Sequence, residues 1–358
     1  MVTPSGPAPT LRISRPTIVV DGQDQPALAS GLLNLLIIED TQGLYRCEMT
    51  VGNWGNLSNH IGYLYFDLQT LNFGKGLQIK LENDVLFDGK IMALEGHYPE
   101  GTSPSLVILA EDRFQDLRMT RRTRTFENLS DSDLLNQIAS DHGLTPDVSL
   151  SGPTHKVLAQ VNQSDLAFAR ERARSAGAEL WLDGSTLHAC RRSNRSGDTL
   201  DLVHGSNLRE FSVIADLAGQ RTSVIASGWD VSGKQAISHE ATDSVISGEL
   251  NSDQSGVSLV QSKLGERKET LAHTVPLAAD EAQAVAEAYF RLMAWRFVVG
   301  RGVTETDHRL RVGASVNLSN LGAVFDGKYY VAEVRHKFDI LHGLRTEFTA
   351  ERPGIGRP

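Results

Sequence analysis

The sequence has few cysteines and no long apolar run. Cys47 and Cys190 are its only cysteines among 358 residues, and they lack the CxxC spacing of zinc or redox sites. We therefore expect both thiols to be buried as small apolar side chains. No stretch approaches the roughly 18 apolar residues that a membrane span needs, and the N-terminus lacks a signal-peptide pattern. These absences predict synthesis and folding in the cytoplasm, without membrane insertion.

Positive charge is also scarce. Lys and Arg number 35 against 44 Asp and Glu, which gives a formal net charge of −9. A chain of this charge has no overall attraction for phosphate backbones or anionic lipids, so we expect no nucleic-acid partner. Apolar residues at 40% and charged residues at 22% are typical of globular proteins, and the length predicts several domains.

Motifs that carry chemistry are missing as well. The histidines occur singly, with no HExxH pattern, and neither a GxSxG elbow nor a phosphate-binding glycine loop is present. The acidic pairs Asp131/Asp133 and Glu305/Asp307 could flank a glycosidic bond, but the first pair opens a predicted helix, where negative charge is favoured anyway. We therefore predict no enzyme, with no catalytic residues, cofactor or metal. A tail-associated peptidoglycan hydrolase or a carbohydrate-binding module stays as the alternative.

Residues 1–118 alternate between short apolar runs and turn residues. The pattern predicts a first antiparallel β-barrel preceded by a flexible arm over residues 1–10. Its clearest part is the segment 77–94, where Asn83-Asp84 and Asp88-Gly89 are predicted to turn the chain.

Residues 119–200 have a different pattern, which predicts an inserted α+β unit. One helix is expected from Ser130 to His142, opened by a capping pattern at Ser130 and Asp133, and a second from Ser164 to Gly177. A hairpin that turns at Asp183-Gly184 follows the second helix.

Residues 201–358 return to strands and predict a second barrel. We expect residues 232–275 to form a long polar excursion that is extended or poorly ordered. Residues 279–299 are predicted to form one long helix, ended by Gly300. Five residues lie along one face of it: Ala282, Val285, Ala286, Tyr289 and Met293. Three strands separated by Asp326-Gly327 and His342-Gly343 close the chain.

Arginines concentrate in the predicted insert. Four lie between Arg118 and Arg124, and others follow at Arg170, Arg172, Arg174, Arg191, Arg192 and Arg195. Because aromatic residues are not interleaved with them, we expect a solvated or subunit-facing surface and no nucleic-acid site. Trp181 and Trp295 lie in apolar patterns, which favours core positions over a ligand-binding role.

Parts of the sequence resemble a known family. Three segments are similar to late control gene D and VgrG hub proteins: residues 107–144, residues 158–189 with the run Gln160-Val-Asn-Gln-Ser-Asp165, and the closing stretch 310–353 with Gly327, Tyr330 and His336. These are hub proteins of contractile phage tails and related injection systems. The resemblance implies a mainly β fold with two tube-protein-like antiparallel β-barrels and an inserted helix-containing unit. It also implies structural roles for the motif residues, including a packed His336.

The same resemblance implies a function and a set of partners. Such a hub forms a homotrimer whose six barrels match a hexameric tail tube on one side and a trimeric central spike on the other. Since this chain stops at Pro358, we expect the spike to be a separate protein, with the tail tube and baseplate wedge proteins as further partners. The expected location is the baseplate of a phage tail, a type VI-like secretion system or an extracellular injection particle; the sequence does not choose among these settings.

Overall fold

The computed structural model describes residues 15–57, 60–231, 233–251, 253–272 and 275–357. The predicted arm at residues 1–10 lies outside these residues. The first part of the described chain contains β1 (Thr17–Val20), β2 (Gln23–Asp24), α1 (Pro26–Ser30), β3 (Leu32–Asp40), β4 (Arg46–Gly52), β5 (Trp54–Leu57), β6 (His60–Tyr63), β7 (Gly76–Leu81), β8 (Asp84–His97) and β9 (Ser105–Glu111).

The insert alternates helices and strands. Its elements are α2 (Phe114–Arg118), β10 (Arg121–Ser130), α3 (Asp131–Asp141), β11 (Thr145–Ser149), β12 (Thr154–Ser164), α4 (Asp165–Ser175), β13 (Ala178–Asp183) and β14 (Thr186–Arg191). A short 3₁₀ turn, Arg192–Asn194, leads out of it.

The remaining chain is again rich in strands. It contains β15 (Thr199–Val203), β16 (Leu208–Ala215), β17 (Ser223–Asp230), β18 (Gln235–Thr242), a 3₁₀ segment (Asp243–Glu249), β19 (Gln254–Ser255), α5 (Gly256–Leu264), β20 (Lys268–Leu271), α6 (Ala279–Trp295), β21 (Val298–Glu305), β22 (Ser315–Ser319), β23 (Gly327–Asp339), β24 (Gly343–Arg352) and β25 (Gly354–Ile355).

One 13-stranded sheet joins the two ends of the chain. Its main path runs β16-β21-β24-β23-β3-β4-β9-β8-β7-β1-β2, and β22 and β15 branch from β23. The strands before the insert form the first barrel around one apolar core, and those after it form the second barrel around another. The predicted fold class, mainly β with an α+β insert, is confirmed.

Two further cores lie outside the barrels. One fills the insert, between its helices and strands. The other lies where α6 packs on the small sheet β18-β17-β20, and it is built from alanines and Phe290 of the helix. The predicted division at residues 118 and 200 stays a prediction, and the structure adds this fourth packing unit within residues 201–358.

Local signals place the helices of the insert. The Ser130 hydroxyl accepts a hydrogen bond from the Asp133 backbone N–H at 3.1 Å, and the Asp133 carboxylate accepts one from the Ser130 N–H at 3.2 Å. This capping box satisfies donors that the first turn leaves free. Ser164 caps α4 in a similar way, through the N–H of Ala167. Both predicted helices are therefore confirmed.

The long helix differs from the prediction. It ends at Trp295, and Val298 already belongs to β21. Gly300 is not a helix stop: a side chain there would overlap the Phe211 ring on the neighbouring strand. The predicted apolar face is only partly buried: Ala282 and Ala286 are buried, whereas Tyr289 is exposed and Phe290, outside that face, is buried. Packing against the small sheet, which the sequence does not reveal, decides which face is buried.

The predicted turn at Asp88-Gly89 is wrong as well. Strand β8 runs without a break from Asp84 to His97. The glycine is required by close approach, because a side chain at Gly89 would overlap the Glu111 carbonyl oxygen on β9. A glycine beside an aspartate thus marks a crowded strand position here rather than a turn.

The polar segment 232–275 is more regular than predicted. Its described residues form β18, a 3₁₀ segment, α5 and β20, and β17 pairs with both β18 and β20. Ser255 caps α5 by accepting a hydrogen bond from the Ser258 N–H at 3.0 Å. Few apolar residues suffice here because α6 covers one side of the small sheet.

Both cysteines are buried and free, as predicted. None of the helices in the described residues is long and apolar enough to span a bilayer.

Candidate assembly surface

The two barrels repeat the same strand order. In the first barrel the order is β3-β4-β9-β8-β7-β1, and in the second it is β16-β21-β24-β23-β22-β15. If the strands of each set are numbered in chain order, the two sets have the same spatial order in the sheet. Neighbouring strands are antiparallel in both sets except in the last pair, where the sets differ. There β1 is antiparallel to β7, whereas β15 is parallel to β22. One folding unit is therefore used twice.

Irregularities in the pairing repeat as well. In the first barrel Ile91 faces Ala110, and the register then shifts by one residue; in the second, Val331 faces Ala350 and the same shift follows. A β-bulge leaves one residue unpaired and bends its strand, so two bulges at one position bend both long strands alike. These pairs fix which residue of β8 corresponds to which residue of β23.

The outer strand pairs carry a second matching bulge. It falls between Leu32 and Asn34 where β3 pairs with β4, and between Leu208 and Glu210 where β16 pairs with β21. The match makes Leu32 the counterpart of Leu208. Residue-by-residue correspondence thus extends to β3 and β16.

A glycine turn supports the same alignment. The N–H groups of Gly74 and Gly313 donate to the carbonyl oxygens of Ile91 and Val331, at 2.8 Å and 3.0 Å. Both glycines have positive φ, 78° and 95°, a conformation that other residues rarely adopt. The correspondence therefore rests on hydrogen bonds and backbone conformation together.

The two barrels meet in a strand pairing that we call the joint. Residues 333–339 of β23 pair antiparallel with residues 34–40 of β3. Phe338, only 2% exposed, belongs to the second barrel by sequence but packs in the core of the first. Arg311 forms an ion pair with the buried Glu39 at 2.5 Å, which adds a charged contact between the barrels.

His336 lies on the buried face of the joint. It is fully buried and its Nδ1 lies 2.8 Å from the Thr346 hydroxyl oxygen. Burial lowers the pKa of His336 to about 3, with the nearby Arg311 charge acting in the same direction. The imidazole is therefore neutral at physiological pH and serves as a packed core residue, as the resemblance implies.

Two strand edges lack the neighbour that the joint provides. Residues 93–97 of β8 and the adjoining Tyr98 follow the bulge and correspond to the part of β23 that pairs with β3. Among the described residues, 93–97 pair only with β9, and Tyr98 comes directly after the strand. We call residues 93–98 the free half of β8. At the other end of the sheet Leu208 of β16 forms an isolated bridge with His204, and the rest of β16 pairs with β21 alone among the described residues, whereas its counterpart β3 pairs on both sides. Each edge presents unpaired backbone groups.

Aromatic side chains gather beside the free half of β8. The Tyr63 ring centroid lies 5.1 Å from that of Trp54, 4.9 Å from that of Phe66 and 6.3 Å from that of Tyr98. Tyr98 is 63% exposed, and Trp54 and Tyr63 are exposed as well. Sequence reasoning missed this group because its members are scattered along the chain, and the hairpin β5-β6 brings them together.

The arginines of the insert act mainly as internal clamps. Arg192 forms ion pairs with Glu179 of the insert at 3.0 Å and with Glu351 of the second barrel at 2.6 Å. Arg170 donates to the carbonyl oxygens of Gln42 and Gly43 in the first barrel, at 2.6 Å and 2.8 Å. The prediction of a solvated or subunit-facing surface is therefore wrong for Arg170 and Arg192, because carboxylates and carbonyls distant in sequence surround them within the chain.

The acidic residues considered as catalytic candidates have structural partners. Asp131 forms an ion pair with Arg172 at 2.6 Å and lies 3.3 Å from His155. Burial alone would raise the pKa of Asp131, but hydrogen bonds from His155 and Arg172 hold it below its ordinary value. Asp133 caps its helix.

The second acidic pair is engaged as well. Glu305 pairs with Arg209, and Asp307 pairs with Arg309 at 2.6 Å. No cluster of three or more His, Cys, Asp and Glu side chains suited to a metal ion occurs within the described ranges.

The two tryptophans singled out in the sequence each lie beside an arginine rather than deep inside a core. Trp181 and Trp295 are half-buried, and the guanidinium groups of Arg195 and Arg192 lie over their rings, 3.9 Å and 5.2 Å from the ring centroids. The prediction of core packing holds for Trp181, which packs against the core of the first barrel, and both rings also lie against arginines that form ion pairs.

Comparison with known sequences identifies a family. A family model described as the Alg8 N-terminal domain matches residues 69–339, which is more than half of the chain. The chain belongs to the Alg8 N-terminal domain family. The matched region begins before β7 and ends with β23, so it includes the free half of β8, the insert and β16. No curated protein sequence matches the chain.

Solved structures share the fold of this Alg8 N-terminal domain family member. The 43 kDa tail protein of prophage MuSo2 from Shewanella oneidensis is 12% identical, with a TM-score of 0.71 over 95% of this chain and 98% of that one. The tail protein from Neisseria meningitidis MC58 is 14% identical, with a TM-score of 0.67 over 96% and 97% of the two chains. The E. coli c3393 protein is 12% identical, with a TM-score of 0.55 over 91% and 76%.

These likenesses establish the fold and leave the finer assignment open. The chain has the fold of phage tail proteins and of a type VI secretion component. The assignment to the late control gene D and VgrG family stays a prediction, since the matching family carries a different description.

Proposed function

We propose that the chain is a structural baseplate hub subunit, which joins a hexameric tail tube to a trimeric central spike. The observation that carries the proposal is the repeat of one barrel within the chain. A trimer can meet a sixfold partner only if each subunit offers two similar surfaces, and two matching barrels in one sheet supply them.

The structural relatives support the setting. Two structural relatives that cover nearly all of both chains are described as tail proteins. The E. coli protein is described as a component of the type VI secretion system that resembles the T4 bacteriophage tail proteins gp27 and gp5. A phage tail, a type VI-like system and an extracellular injection particle therefore all stay within the proposal.

The proposed partners follow from this role. The chain forms a homotrimer, contacts the tail tube and a separate spike protein through its barrels, and meets baseplate wedge proteins through the insert. Helix α6 faces the tube together with the barrels. The clamps from Arg170 and Arg192 support a fixed insert, because they tie it to both barrels. Assembly in the cytoplasm, into a baseplate, completes the proposal.

A structural role also fits the state of the acidic residues. Asp131 and Asp307 each have an arginine partner within ion-pair distance, and a general acid in a glycosidase requires a carboxyl group with a raised pKa. The pKa values of both carboxyls are lowered instead, that of Asp131 by its hydrogen bonds despite burial and that of Asp307 by its hydrogen bond to Arg309. A zymogram on peptidoglycan tests the alternative, and a cleared band would contradict a purely structural role.

Native mass tests the proposal. Light scattering of the purified chain should give a species of about 117 kDa, three times 39.1 kDa, and negative-stain end views should show a ring with six lobes. A chain that stays monomeric at high concentration, with its spike partner added, would overturn the proposal.

A further inference from the structure

The joint inside the chain predicts how copies of the chain meet. Along the main sheet the eight strands from β16 to β8 alternate in direction. A second copy placed after β8 would therefore begin with a β16 that is antiparallel to it, as β3 is to β23. The sheet can thus continue across the copy boundary with no change of pattern.

We propose that the free half of β8 pairs with β16 of a second copy, in the register that the joint uses. In each residue pair of the joint, the β23 residue is replaced by its counterpart in or next to β8, and the β3 residue by its counterpart in or next to β16. The resulting pairs are 93 with 216, 94 with 215, 95 with 214, 96 with 213, 97 with 212 and 98 with 211. The proposal rests on the hub function, which supplies the ring, and adds the contact that closes it. The partner is a second copy of this chain.

Side chains on the buried face fit this pairing. Tyr98 takes the place of Phe338, and Phe211 and Val213 take the places of Leu35 and Ile37. Phe211 and Val213 already pack against the core of the second barrel but are only partly covered. Tyr98 of one copy would complete that core in the next, as Phe338 completes the first-barrel core within the chain.

The opposite face also suits a pairing between copies. Ile214, which is 60% exposed in the single chain, would lie opposite Glu95, and His97 would lie opposite Ser212. No like charges meet directly in this register, whereas like charges directly opposed destabilise strand pairs. The two backbone edges have matching length, so one copy would add its strand to the sheet of the next through main-chain hydrogen bonds.

The joint within the chain and the proposed pairing between copies differ in their charged contacts. Within the chain, Arg311 and the buried Glu39 add an ion pair to the joint. Their counterparts are Asn72 and Ala215, which cannot form one. The pairing between copies therefore has no equivalent of the Arg311–Glu39 ion pair. It depends on backbone hydrogen bonds and apolar burial, and it forms when the copies assemble.

Paired cysteines test the register. Under oxidation the E95C/I214C variant should form disulfides between copies and give a ladder that ends at three chains on a non-reducing gel. The matched R335C/I38C variant carries the same geometry inside the chain, where these residues face each other, and should form an internal disulfide. The native cysteines are buried and serve as an unmodified background.

A shifted pair provides the control. E95C/E210C displaces one cysteine by four residues, about 13 Å along the strand, which is too far for a disulfide. A second variant in the proposed register, H97C/S212C, repeats the test at another position should the first variant fold poorly.

The outcomes separate the contact from the hub function. Crosslinks in E95C/I214C and H97C/S212C but not in the shifted pair support the register. A trimer by light scattering that forms no crosslink at either pair, while R335C/I38C does, overturns the proposed contact and leaves the hub function standing. A chain that remains monomeric overturns both.

Discussion

Substituting Tyr98 and its counterpart Phe338 by alanine should have opposite consequences for folding and assembly. Phe338 is buried at the joint within each chain, whereas Tyr98 is 63% exposed in the single chain. Removing a buried phenylalanine costs about 3–5 kcal/mol. We therefore expect Phe338→Ala to lower the free energy of unfolding by that amount, measured by urea denaturation of the isolated chain.

Tyr98→Ala should leave folding nearly unchanged and weaken assembly. Covering the exposed part of the ring removes roughly 100 Å² or more of surface from water, which is worth about 2 kcal/mol per contact. That loss corresponds to an association constant about 30-fold lower for each contact. Its aromatic neighbours Tyr63 and Phe66 stay in place and limit any effect on the single chain.

Sedimentation velocity over a range of concentrations measures this shift. Tyr98→Phe is the matched control, because it keeps the ring and should assemble like the original chain. If Tyr98→Ala assembles as well as Tyr98→Phe, the ring is not buried between copies and the correspondence with Phe338 has no consequence for assembly.

Three further substitutions test the account of the cores. His336→Gln should remove a pH dependence of the free energy of unfolding. Because the pKa of His336 is about 3 in the folded chain against an ordinary 6.5, the original chain loses stability as the pH falls from 6.5 to 3, by up to about 1.4 kcal/mol per pH unit. Urea titrations at several pH values measure this slope, and equal slopes for the two chains would contradict the expectation. Arg172→Met leaves the buried Asp131 with His155 but without its arginine partner and should cost about 3 kcal/mol, whereas the exposed Arg118→Met should cost less than about 1 kcal/mol. Equal losses in thermal unfolding would contradict a stabilising role for the buried ion pair. Ser130→Ala removes the cap of α3 and should cost about 1 kcal/mol in the same assay, and no change would show that the cap is redundant.

Elements with strong local signals could be predicted from the sequence. Ser130 and Ser164 begin their helices because their side chains satisfy backbone donors within three residues, which needs no tertiary information. The three closing strands follow from alternating apolar residues between glycine turns. Fold class was therefore within reach, since it depends on many such local patterns together.

Features set by contacts distant in sequence were not predictable. Gly300 and Gly89 resemble a helix stop and a turn, but a neighbouring ring and a carbonyl oxygen require them inside strands. The pairing of Glu351 with Arg192 is equally invisible, as the two lie far apart in the chain.

The repeat of the barrel was hidden for a similar reason. Few counterparts are identical, such as Ala110 with Ala350, and the long insert separates the two copies of the unit. Matching bulges and hydrogen bonds preserve the unit after the sequences have diverged, because barrel geometry depends on backbone register more than on residue identity. The candidate surface therefore emerges only once the strands are paired.

A cryo-electron microscopy reconstruction of the assembled chain, calculated without imposed symmetry, tests the central claim most directly. The account predicts a threefold ring of six barrels in which residues 93–98 of each copy continue into residues 211–216 of the next. A ring whose copies meet elsewhere, with both edges open to solvent, would contradict it.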